Sequence, residues 1–286
     1  MKPNKSITLT KQEFDRPLIL SIFLLLLVFF GVQSVFTIPT FFISNPGVKE
    51  IYVLFTNIFI IGAFLLFSKK YEKRSLQSLG ITFANLPLNM LIGWLLGLLL
   101  ISAVFVINLL TNSISTSFNA NSISWIYVVS AFFGYLVQGT MEEILCRGII
   151  MNSVASKYNV LLGIIVNTLV FSLLHGLNPS ITFLALANIF FAGLLFSLVF
   201  YLSDNIFLVG AFHAAWNFLL GPVIGIRVSG LDFYSSVFRT DLNSENSLIN
   251  GGKFGFEGGL GLTIAAFVFL SIIFLVIKTK KEKYLY

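Results

Sequence analysis

The sequence predicts an all-α, polytopic membrane protein whose roughly eight transmembrane helices enclose an intramembrane cavity. Three observations carry this prediction. Of the 286 residues, 57% are hydrophobic and only 10% charged, too few charges to cover a soluble globule of this size. Eight apolar segments stand out, at about 17–43, 50–68, 86–110, 124–154, 159–176, 181–202, 205–221 and 259–277. Most approach the ~20 residues that cross ~30 Å of hydrocarbon as helix. The net charge of +6 sits at the edges of these segments, which argues for a bilayer and against nucleic acid as the partner.

Taken in order, the leader "MKPNKSITLTKQEFDRP" carries Lys2, Lys5, Lys11 and Arg16 ahead of the first span. That span is longer than a signal-peptide core and lacks a small-x-small cleavage site, so it reads as a retained anchor. The second span ends in "SKKYEKRS", with Lys69, Lys70, Lys73 and Arg74, and the last runs into Lys278, Lys280, Lys281 and Lys283. An eight-span count puts these three basic flanks on one side, which makes both termini cytoplasmic. The 44–49 loop, the uncharged loop 111–123 and the segment 222–258 then lie outside, the last as an outer cap. In the third span Gly93-x-x-x-Gly97 permits close helix approach, read as packing within the monomer. The chain divides into a three-helix part (1–123), a core (124–221), and the outer segment with the last span (222–286). Nothing in it specifies an oligomeric state.

Inside the spans ionisable groups are rare and should face protein or a watery cavity. The fourth span holds Glu142, Glu143 and Arg147; the only two histidines, His175 and His213, fall in the fifth and seventh. Glu143 and Arg147 are four apart on one helical face, placed to neutralise each other. Glu142 points elsewhere, along a stripe with Tyr135, Gln138, Gly139 and Cys146, toward a cavity. The bland alternative makes Glu142 a second structural partner of Arg147. Phe171 lies one turn below His175, and His213 shares a face with Asn217. Asn188, in the sixth span, reads equally as an interhelical hydrogen bond or as part of the site.

A carboxylate, two imidazoles and an amide around one cavity suit activation of water for attack on a carbonyl, with Glu142 and His175 holding the water. His213 and Asn217 would then donate to the oxyanion. The same Glu142, His175 and His213 form a two-His-one-carboxylate set able to hold a divalent metal such as zinc. The lone Cys146 excludes an internal disulfide and a cysteine-based metal site, and reads as apolar filler. Depth sets a condition. Counted along their helices, these groups meet only if the fourth span is long and projects outward.

The motifs "EEILCR", "FSLLH" and "HAAWN" match E-E-x-x-x-R, F-x-x-x-H and H-x-x-x-N, in the order found in the CPBP intramembrane proteases (CAAX proteases and bacteriocin-processing enzymes, the Abi family). The chain resembles that family over about residues 124–221. The resemblance implies an intramembrane endopeptidase in which Glu142 and His175 activate water, His213 and Asn217 bind the oxyanion, and Glu143 and Arg147 support the first pair. It implies a membrane-associated peptide or protein as substrate and leaves metal-dependent and metal-free mechanisms open. With a composition rich in Ile, Phe, Asn and Lys, it points to a bacterial plasma membrane. Two other classes compete. One is a bacteriocin self-immunity or partner-binding protein independent of catalysis; the other is a transporter, which would favour repeats or matching broken helices that this chain lacks.

Overall fold

The computed structural model describes residues 1–282. Helix starts follow from polar caps that take up free backbone N–H groups. Asn4 accepts from Ile7 N ahead of α1 (Lys5–Glu13), and Asn45 from Val48 N ahead of α3 (Pro46–Phe67), which follows α2 (Leu18–Thr37). α4 (Leu86–Leu110) leads through strand β1 (Ile114–Phe118) to α5 (Trp125–Glu143). A π-helical stretch, Ile144–Met151, joins α5 to α6 (Asn152–Lys157). Asn159 caps α7 (Val160–Leu174), Thr182 caps α8 (Phe183–Ser203) and Asn205 caps α9 (Ile206–Phe218). Strand β2 (Phe238–Leu242), the single turn α10 (Ser247–Asn250) and α11 (Leu260–Glu282) complete the described chain.

The chain is a multi-pass, predominantly helical membrane protein. Among the described residues six helical stretches are long and apolar enough to cross a bilayer: Leu18–Phe42, Pro46–Glu72, Leu86–Leu110, Phe183–Ser203, Ile206–Ile224 and Leu260–Thr279. The other two expected spans differ from these in kind. α5 with its π-helical continuation carries Glu142, Glu143 and Arg147, and α7 has only 15 residues, about 22 Å at 1.5 Å per residue.

Two local features were not foreseen. The basic leader is folded: α1 is helical and docked, with Ser6 N donating to Asp204 at 3.0 Å and Thr10 Oγ1 to the Ser78 carbonyl at 2.9 Å. Arg74, counted among the flanking charges, is buried beneath it and bonds Glu72, Thr10, Ser153 and the Gly148 carbonyl. Nor is the chain helical throughout. The uncharged loop and the outer segment pair as an antiparallel ribbon, β1 with β2, in register from Ile114 opposite Leu242 to Phe118 opposite Phe238. Alternating Ile, Ser, Thr and Phe suit such a half-exposed ribbon. Lys283 lies outside the described residues.

α9 is the buried axis of the bundle, and small residues let its neighbours reach it. A Cβ on Gly93 would stand 2.2 Å from the Leu208 carbonyl, one on Gly97 2.5 Å from Ala215 Cβ, and one on Gly139 2.9 Å from the Gly210 carbonyl. α4 and α5 therefore pack backbone-close on α9, and the Gly93–Gly97 pair is an intramolecular seam.

Candidate active site

The carboxylates arrive at the end of α5, where the helix switches to π geometry. Such wide turns recur at functional sites because they re-aim side chains without breaking the helix. Ile144–Met151 is buried throughout. Counted from Trp125 to Lys157 the helix is continuous and longer than the ~30 Å hydrocarbon. Its N-terminal end is held by the 222–258 segment, Ser124 N donating to Ser235 Oγ at 2.9 Å. The long fourth helix that the depth argument demanded is thus present.

Glu143 and Arg147 form the expected pair, 2.9 Å apart and wholly buried. Arg147 Nη2 also donates to the Gly193 carbonyl at 2.8 Å, and its guanidinium lies 4.6 Å from the Phe171 ring centre. Glu143 has a second partner that helical spacing does not show: His213 Nδ1, at 2.9 Å from the same Oε1. Glu143 thus bonds both Arg147 of its own helix and the histidine of α9. Because a carboxylate only accepts, Nδ1 carries the proton and Nε2 faces the cavity. The imidazole also stacks on Phe196, ring centres 4.8 Å apart.

His175 ends α7 and is oriented in the same manner. Its Nδ1 donates to the Phe171 carbonyl at 2.8 Å, and its ring lies 4.7 Å from that of Phe171. Both free Nε2 atoms converge on Glu142 Oε2, at 4.0 Å from His175 and 3.8 Å from His213. Glu142 Oε1 accepts from Gln138 Nε2, and Gln138 Oε1 accepts from Asn217 Nδ2 at 2.9 Å. One oxygen of Glu142 is therefore fixed, and the other is buried without a hydrogen-bond partner.

These groups line a cavity of about 410 Å³ whose remaining wall includes Phe29 and Phe36 of α2 and Leu54 and Ile60 of α3. Glu142, His175, His213, Asn217 and Phe171 all line it, and so does Cys146. Glu143 and Arg147 stand behind the wall. Asn188 is elsewhere: its amide donates to the Glu257 and Gly259 carbonyls at 3.0 and 2.9 Å and accepts from Thr263, tying α8 to α11.

Gln138, Trp216 and Glu257 are among the cavity residues that the sequence reading did not count as site members. Gln138 stood on the right stripe, four residues before Glu142, and that spacing was the signal for it. Trp216 and Glu257 had none. Trp216 Nε1 donates to Glu257 Oε1 at 3.0 Å, and Ser229 N donates to Glu257 Oε2. Burial pushes the Glu257 carboxyl above the ordinary carboxylate range, against the pull of Ser229, Trp216 and nearby His175.

A divalent metal on this wall would have to bridge Glu142, His175 and His213. At the usual ~2.0–2.2 Å from each ligand, oxygen–nitrogen separations of 3.8 and 4.0 Å demand angles of about 130–145°, far from tetrahedral. Among the described residues no three His, Cys, Asp or Glu side chains stand in metal-ligand geometry. As placed, the residues do not fit a metal.

No curated protein matches the chain. The family model described as Rce1-like, type II CAAX prenyl endopeptidase, matches residues 123–219, the stretch from the start of α5 to the end of α9 that holds all three motifs. Over that stretch the chain is similar to the Rce1-like type II CAAX prenyl endopeptidases.

Proposed function

We propose that this protein is an intramembrane endopeptidase that hydrolyses a peptide bond of a membrane-associated peptide or protein by Glu142- and His175-activated water. The observation that carries the reading is the pair of acceptors, Glu142 Oε2 and His175 Nε2, 4.0 Å apart on the cavity wall. One water at ordinary hydrogen-bond distance reaches both and donates a proton to each. As its oxygen attacks the carbonyl carbon, Glu142 takes one proton and the carbonyl π electrons move to oxygen. His213 Nε2 and the second N–H of Asn217 receive that oxyanion. For His213 to donate there, its ring must carry a proton on Nε2 as well as the one on Nδ1 that bonds Glu143. Collapse of the tetrahedral adduct breaks the C–N bond, and Glu142 returns its proton to the leaving amine.

We place catalysis in residues 124–221, with 1–123 and the outer segment as walls, in a cell membrane with both termini cytoplasmic. Supporting that orientation, Phe267 packs on Phe191 and Thr263 bonds Asn188, so α11 runs alongside α8 in the same direction. α8 ends where Tyr201 meets the Lys2 carbonyl, beside the basic leader.

The test is cleavage of membrane-associated peptides by the native protein and by Glu142→Gln at equal membrane levels. Loss of a general base costs about 10²–10⁴-fold in rate; undiminished cleavage by Glu142→Gln overturns the assignment. Activity that survives exhaustive chelation supports the metal-free route, and lasting loss restored by zinc replaces it with a metal-assisted one.

A further inference from the structure

The buried carboxylate of Glu257 lies outside the family-matched stretch yet borders the cavity. It sits in the short turn Phe256–Gly258, immediately before α11, and is 7% exposed. A buried carboxylate needs hydrogen-bond partners, and the fold supplies them from three directions. Trp216 of α9 donates to Oε1, Ser229 of the outer segment donates to Oε2, and Asn188 of α8 donates to the main-chain carbonyl. The backbone bends sharply to deliver the side chain inward. Gly255 has φ +87°, and a Cβ there would stand 2.3 Å from the Arg227 carbonyl.

Each partner leads to a group of the site. Trp216 precedes Asn217, whose amide holds Gln138 and through it Glu142. Ser229, in the left-handed region at φ +49°, accepts through its carbonyl from Asn178 Nδ2 at 3.1 Å. Asn178 closes the turn after α7 by donating its N–H to the His175 carbonyl at 3.0 Å. Glu257 thus stands where a tie to the Asn217 side and a tie to the His175 side meet.

We infer that Glu257 is a positioning residue of the hydrolytic site, through which the outer segment holds the His175 turn and the Trp216–Asn217 turn at their working separation. The inference rests on the proposed endopeptidase reading and assigns the outer segment a part in catalytic geometry. Since Glu257 touches neither the proposed water nor the oxyanion position, its removal acts on kcat through misplacement, to which the chemical step is sensitive at the scale of 1 Å.

The experiment compares kcat and KM of the full chain carrying Glu257→Gln, Glu257→Ala, Trp216→Phe or the Gln–Phe double change, with Glu142→Gln alongside. Glu257→Gln keeps one acceptor oxygen and is expected to lower kcat about tenfold with KM within about twofold; Glu257→Ala lowers it about a hundredfold. Because the Trp216 bond is one of the ties that Glu257 makes, the double variant should fall short of the product of the two single effects. Should Glu257→Ala fail to accumulate, the Gln and Phe variants decide alone. Glu142→Gln inactive with both Glu257 and Trp216 variants at full kcat overturns the inference and leaves the endopeptidase reading intact. A rise in KM with kcat unchanged, or multiplicative effects in the double variant, also overturns it. Glu142→Gln at full activity overturns the endopeptidase reading itself.

Discussion

Replacing Arg147 by methionine tests whether the ion pair behind the site is held by charge compensation. Arg147 is fully buried and makes two hydrogen bonds, to Glu143 at 2.9 Å and to the Gly193 carbonyl at 2.8 Å. The Gly193 carbonyl keeps another donor, Ser197 Oγ at 2.6 Å, so that loss is small. The guanidinium contact with Phe171 is worth ~0.5–2 kcal/mol, and a methionine thioether against the same ring recovers ~0.3–1.5 kcal/mol. What remains is Glu143 stranded at 0% exposure with His213 as its one partner. Breaking a buried pair from one side costs about 3–5 kcal/mol. That is a large share of an ordinary stability of ~5–15 kcal/mol, so the single variant should accumulate poorly. Glu143→Gln strands Arg147 instead and should cost a similar amount. The double change leaves no uncompensated charge, and its glutamine can still accept from His213, so it should be no less stable than either single variant. Reversible unfolding in mixed micelles gives the three values, and a double variant whose loss equals the sum of the singles refutes the reasoning. Peptide cleavage should stay low in the double variant, because a neutral amide supports a doubly protonated His213 less well than a carboxylate does.

Three further outcomes are expected. Gly93→Ala forces a methyl against the Leu208 carbonyl 2.2 Å away and should destabilise by ~1–3 kcal/mol in the same unfolding assay, whereas Gly31→Ala, with nothing within 4 Å, should be neutral or stabilising. Gln138→Leu removes the donor to Glu142 and the acceptor for Asn217; loss of a hydrogen bond to a charged group, ~1.5–3 kcal/mol, should lower kcat about 10- to 100-fold with protein levels unchanged. The raised carboxyl of Glu257 means that the folded protein binds this proton more tightly than the unfolded chain does. Its contribution is full below the ordinary glutamate range, about 4.5, and is lost as pH rises through the folded value. Thermal midpoints measured upward from pH 4.5 should therefore fall less in Glu257→Gln than in the native protein, and parallel curves would refute this.

Much of the site could be read along the chain because the relevant geometry is local. The Asn and Thr caps at Asn45, Asn159, Thr182 and Asn205 mark helix starts by a bond spanning two or three residues. The Glu143–Arg147 pair and the Phe171–His175 contact follow from one helical turn. The same spacing separated Glu142 from its neighbour and left it for the cavity. The short ribbon was not legible, since each strand has five residues and finds its partner more than a hundred positions away. Nor was the folded leader, whose polar residues pair with Ser78, Arg74 and Asp204.

By itself, then, the sequence determined that this is a multi-pass membrane protein and which ionisable groups it must shelter from lipid. Only the tertiary structure decided their partners: His213 with Glu143 across 70 positions, Asn217 with Gln138 across 79, and Trp216 with Glu257 across 41. The reason is rotational. Spacing sets where side chains lie around one helix, but which face meets which is settled by close approach at Gly93, Gly97 and Gly139 against α9, and that exists only once the helices have packed.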